Sequence, residues 1–112
     1  MNDKEKELWR VIDNVIQCCG TTLPDGTFNI TRKDVLGKSR AENVVMTRAM
    51  IVEQMLHAGF SVTTIASILN RTVHTVRHLR DLAYKWLNTS RVYRLATAEA
   101  TLKNKNVEPM CI

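Results

Sequence analysis

From Ser61 to Leu82 the chain carries two apolar series at helical spacing, separated by three polar residues, and no other stretch constrains the fold as tightly. The first series is Val62, Ile65, Ala66 and Leu69; the second is Val73, Val76, Leu79 and Leu82. Each set lines one face of a helix. Ser61 is a good N-cap for the first helix and Thr72 a tolerable one for the second. Asn70 falls where the chain must turn sharply, and Asn accepts a left-handed backbone better than most residues with a Cβ. The small Ala66 lets the second helix cross close, and Val76 is placed to plug the angle between them. The pattern is that of a helix-turn-helix, covering 61–87 if the second helix continues through Ala83 and Trp86 to Leu87. His74, Thr75, Arg77, His78 and Asp81 are left facing outward on that helix.

The flanking segments read as further helices. Leu8, Val11, Ile12, Val15, Ile16 and Cys19 form one stripe in the opening segment, Asp3 to Cys19, with Asp3, Glu5 and Glu7 favouring its start and Gly20 a natural stop. Pro24-Asp25-Gly26 is a strong turn signal. Thr31 to Leu36 has the makings of a short helix, with Thr31 as cap, Asp34 three residues on and Gly37 as terminator. After a polar, basic loop at 37–43, a longer helix runs to Ala58 and buries a selection of Val45, Ala49, Met50, Val52, Met55 and Leu56; Gly59 closes it. Asn88-Thr89-Ser90 is a break with a cap. A last helix, about Arg91 to Lys103, shows Val92, Leu95, Ala96 and Leu102. These readings predict an all-α bundle of five to six helices. The expected parts are an N-terminal helix at 1–20 packed on the core, a main domain at 21–103, and a flexible tail at 104–112.

Charge adds information through its placement. The 112 residues carry a formal net charge of +5 and are 45% hydrophobic, enough for one modest core. Between Arg32 and Arg48 five bases stand against two acids, and between Arg71 and Arg94 six bases stand against Asp81 alone. The first twenty residues are slightly acidic. A base excess centred on the helix-turn-helix and the loop before it suits a polyanionic partner, which for this motif means double-stranded DNA.

Other classes find little support. Cys18, Cys19 and Cys111 give an odd count without a CxxC pair, and adjacent cysteines resist bridging each other. The charged N-terminus is unlike a secretory signal, and no apolar run approaches the ~18 residues of a membrane span. The expectation is therefore reduced thiols in a cytoplasmic protein. His74 and His78 have a metal-compatible spacing, but HTVRH lacks a third ligand and the glutamate of HExxH. Carboxylates are scattered and no nucleophile has an evident base, so neither an enzyme, a small-molecule substrate nor a cofactor is expected.

From Ile30 to Leu87 the chain resembles the C-terminal DNA-binding domain of the bacterial chromosomal replication initiator DnaA, a Trp-repressor-like helical fold. The resemblance rests on an ordered set: ITRKDVLG, the basic loop KSRAEN, the long helix VVMTRAMIVEQML and the helix-turn-helix SVTTIASILNRTVHTVRHL. It implies that Arg40 enters the minor groove and that Thr63, Thr72, Val73 and His74 read bases. It assigns phosphate contacts to Arg48, Thr75 and His78; the basic Lys38, Arg71 and Arg77 join them on charge. At the turn, Asn70-Arg71-Thr72-Val73-His74-Thr75 is one residue shorter than the family's usual run, with Thr72 and Val73 in place of Asp and His. Recognition of the family's usual origin box therefore does not follow, and Val73 is open either to a thymine methyl or to the core.

A complete initiator also carries an ATPase domain, and this chain has no G-x-x-x-x-G-K-[ST] loop. Met1 favours a stand-alone module over a fragment. Two alternatives remain: a dimeric helix-turn-helix transcriptional regulator reading a palindrome, with the helix from Arg91 as its seam, and a helical protein-interaction adaptor. Monomer or homodimer is undecided, as is replication or transcription.

Overall fold

The structure, a computed structural model, describes residues 3–22 and 30–106, all of them helix or short connection. Six helices follow in order: α1 (Asp3–Thr22), α2 (Arg32–Leu36), α3 (Glu42–His57), α4 (Val62–Leu69), α5 (Val73–Thr89) and α6 (Arg91–Asn106). The all-α expectation and its helix count hold. The Pro24-Asp25-Gly26 turn and residues 107–112 of the expected tail lie outside the described residues.

The long helix α3 is the axis of the fold. Every residue from Met46 to Met55 is buried on it, and it meets each of the other five helices. A helix covered on all sides has no solvent face to fill with charge, which explains its weak apolar periodicity. Met50, Ile51 and Met55 are fully buried there, each contributing about 1.5–3 kcal/mol of transfer free energy. The expected selection was thus too narrow, since Thr47, Arg48, Glu53 and Gln54 are buried too.

Local chemistry sets most element ends. Thr31 and Asp34 form a complete capping box at α2, with Thr31 N–H donating to Asp34 Oδ2 at 2.9 Å. At the end of α3, Gly59 sits at φ +93, and Phe60 N–H returns to the Met55 carbonyl at 3.1 Å, a Schellman closure. Ser90 caps α6 through its hydroxyl, which accepts from Tyr93 N–H. Several boundaries differ from the sequence reading. α1 passes through Gly20 to Thr22, and α3 begins at Glu42, which shortens the basic loop to 37–41. α5 runs past Leu87 to Thr89, and α6 continues past Lys103 to Asn106, so that residues 104–106 of the expected flexible tail are helical.

α1 and α6 pack together and against α3, bracing it. Their contact is partly polar: Asn14 donates to Asn104 at 3.0 Å, and Asn104 donates to Gln54 of α3 at 2.8 Å. Gln54 in turn donates to Thr101 and to the buried carboxylate of Glu53. On α6 the inward residues are Tyr93, Ala96, Thr97 and Ala100, whereas Leu95 and Leu102 are exposed. The sequence reading had placed those two leucines in the helix's apolar set. Arg32 ties α2 to α1, lying over the Trp9 ring and bonding both oxygens of Asp13.

Candidate nucleic-acid interface

α4 and α5 meet at the turn foreseen from their sequence. Ser61 caps α4 by accepting from Thr64 N–H at 3.2 Å. Asn70 takes the left-handed conformation, φ 55 and ψ 48, and is the one described non-glycine residue with positive φ. Arg71 N–H then closes back to the Ala66 carbonyl at 2.9 Å. Thr72 caps α5, its hydroxyl accepting from Thr75 N–H at 3.1 Å and donating to the Thr75 hydroxyl at 3.0 Å. Ala66, Val76 and Leu79 are buried where the two helices and α3 meet.

This arrangement sorts the candidate readers. His74, Arg77 and His78 are exposed on α5, and Thr72 is exposed just before it. Val73 is half-buried and packs against the core, so of its two readings the structure favours the inward one. Thr75 is half-buried, with its hydroxyl engaged by Thr72. Thr63 is exposed on α4 but lines a different cleft, shared with Glu5 and Trp9 of α1.

The basic loop and the turn converge on a cleft of about 420 Å³, lined by Lys38, Ser39, Arg40, Arg48, Arg71 and Thr75. Four of these six side chains are cationic and none is anionic. Lys38 and Arg40 are exposed at its rim. A concave site lined by one sign of charge focuses potential and raises the local concentration of counter-charge.

Arg48 departs from the role the resemblance assigns to it. It is 7% exposed and its guanidinium turns inward to main-chain oxygens. Nε donates to the Val35 carbonyl at 2.8 Å, Nη1 to Ser39 at 2.6 Å, and Nη2 to both Asp34 and Gly37 at 2.9 Å. Four N–H···O contacts leave little of the fork for a phosphate. Burial pushes this guanidinium below its ordinary range; the neighbouring Arg71 charge adds to that and Asp34 opposes it.

Arg71 behaves similarly from the other side. It donates to the carbonyls of Leu36, Leu69 and Asn70, and closely to that of Gly37. The open carbonyls at the end of the five-residue α2 are thus met by two arginines instead of a helical turn. Gly37 is required there, because a Cβ would fall 2.8 Å from the Lys33 carbonyl oxygen. Sequence reasoning missed this role for Arg48 and Arg71. The one signal available was a helix too short to satisfy its own carbonyls, followed by glycine.

Among the described residues no group of three histidine, cysteine or carboxylate side chains is arranged to hold a metal, and no helix is long and apolar enough to cross a membrane. No family model, curated protein or solved structure matches this chain.

Proposed function

We propose that this chain is a cytoplasmic protein that binds double-stranded DNA through the helix-turn-helix of α4 and α5 together with the basic loop at 37–41, without ATPase activity. The observation that carries this reading is the cationic cleft: the loop bearing Lys38 and Arg40 adjoins the N-terminal end of α5, whose His74, Arg77 and His78 are exposed. A helix presented this way suits the major groove, with residues near its start facing base edges and later ones nearer the phosphates. Arg40, on a loop beside it, suits an adjacent minor groove, deepest in potential at A·T-rich sequence. The resemblance to the DnaA C-terminal domain, and with it the Trp-repressor-like fold, supports the same docking. Lys38, Arg77 and His78 are the phosphate contacts favoured by exposure.

A monomer on an asymmetric site is the favoured form, because the inward stripe of α6 is already occupied by α1, α3 and α5, and among the described residues of α6 the large apolar side chains left exposed for a seam are Leu95 and Leu102. Fluorescence titration of labelled duplex across a salt series tests the proposal. Binding that weakens linearly in log affinity against log salt supports it. Salt-insensitive or absent binding refutes it and favours a protein partner. Selection from random duplexes then gives the site and its symmetry, a palindrome pointing instead to a dimeric regulator.

A further inference from the structure

The carbonyl oxygens of Asp34, Val35, Leu36, Gly37 and Ser39 all receive guanidinium N–H groups, and the donors come from two distant elements. Arg48 rises from α3, and Arg71 from the turn between α4 and α5. The Gly37 carbonyl accepts from both. One oxygen therefore joins the basic loop, the central helix and the helix-turn-helix. We propose that Arg48 and Arg71 are positioning residues, which bind the backbone at the end of α2 and the start of the loop, and not DNA. They fix Lys38 and Arg40 relative to α5 so that loop and helix meet a duplex as one preformed unit. The inference rests on the DNA-binding reading above.

The chemistry fits this division of labour. A guanidinium presents five donors in a planar fork, which can span carbonyls that no regular structure satisfies; an ammonium is a point charge on a flexible stem. Placing two guanidiniums side by side is electrostatically unfavourable, and Arg71 indeed weakens the hold of Arg48 on its proton. The carbonyl contacts offset that repulsion. Ordering a cationic loop before the ligand arrives removes an entropic cost from binding and sharpens the geometry of any side chain the loop carries. A phosphate contact and a positioning contact also leave different marks. The first changes the salt slope uniformly across sequences; the second changes discrimination at the position the loop reaches.

The test compares wild type, Arg71→Ala and Arg71→Lys on duplexes with A·T-rich and G·C-rich flanks across a salt series. Backbone order parameters of residues 37–41 are measured in the DNA-free proteins. In Arg71→Ala the loop should pass from rigid to flexible values, below roughly 0.6. Affinity for A·T-rich flanks should fall about tenfold, the equivalent of one base-edge contact, with little change on G·C-rich flanks and an unchanged salt slope. Arg71→Lys should keep the charge yet fail to restore flank discrimination. A salt slope lower by about one with discrimination intact, full rescue by lysine, or an unaltered loop overturns the proposal while leaving DNA binding in place. Absence of duplex binding by wild type overturns both.

Discussion

Replacing Arg48 with Met isolates what its guanidinium contributes to stability. Met keeps an unbranched apolar stem of similar reach, so the packing of α3 changes little. What disappears is four hydrogen bonds from a charged donor to the carbonyls of Asp34, Val35, Gly37 and Ser39. Hydrogen bonds to a charged group contribute about 1.5–3 kcal/mol each, a gross effect of roughly 6–12 kcal/mol. Two effects reduce it. The guanidinium no longer has to leave water and sit beside Arg71; the Gly37 oxygen keeps its bond from Arg71, and the Ser39 oxygen, in a half-exposed loop, can bind water instead. The net loss should be about 2–4 kcal/mol, a fall in melting temperature of roughly 10–20 °C. Urea denaturation followed by far-ultraviolet circular dichroism measures it, with an unchanged denaturant slope expected. A loss below about 1 kcal/mol would mean that water serves these carbonyls as well as the arginine does, and the argument from their convergence would fail.

Other substitutions test other links. Arg40→Ala should cost roughly 1–3 kcal/mol of affinity on A·T-rich flanks and less on G·C-rich ones; equal losses in paired titrations would reduce Arg40 to a phosphate contact. His74→Ala and Thr72→Ala should shift the motif recovered by duplex selection, whereas Arg77→Ala and His78→Ala should lower affinity with the motif kept; the reverse outcome would mean that α5 docks differently. Asn70→Ala should destabilise by about 1–2 kcal/mol because Ala resists the left-handed backbone, while Asn70→Gly should be close to neutral by urea titration.

What was legible in the sequence is what short-range chemistry decides. Ser61, Asn70 and Thr72 delimit the helix-turn-helix because caps and left-handed turns depend on residues within three or four positions. The same holds for the capping box of Thr31 and Asp34 and the closure at Gly59. Gly20 misled because a glycine can be carried inside a helix at a cost of about 1 kcal/mol when flanking turns are packed, and Leu8 to Cys18 of α1 are. On α6, Leu95 and Leu102 outweighed Tyr93 and Ala100 on hydrophobicity, yet the buried stripe of α6 is Tyr93, whose ring meets Trp86 of α5, followed by the small Ala96 and Ala100. Arg48 was legible as a cation but not as a buried one. Its partners are carbonyls nine to fourteen residues away, and a carbonyl is present at every position, so sequence carries no trace of which ones converge.

The bond from Asn14 to Asn104 spans ninety positions, and Lys103 reaches Gln17 across eighty-six. Contacts of that span carry a large loop-closure entropy, so the α1–α6 brace is expected to form late in folding. The helices from α2 to α5 are linked by much shorter loops and can assemble first. Opening in the native state should follow the reverse order, with amides of α1 and α6 exchanging through a partial unfolding that leaves the helix-turn-helix intact. The proposed DNA-reading surface thus sits in the part of the chain expected to assemble first and open last.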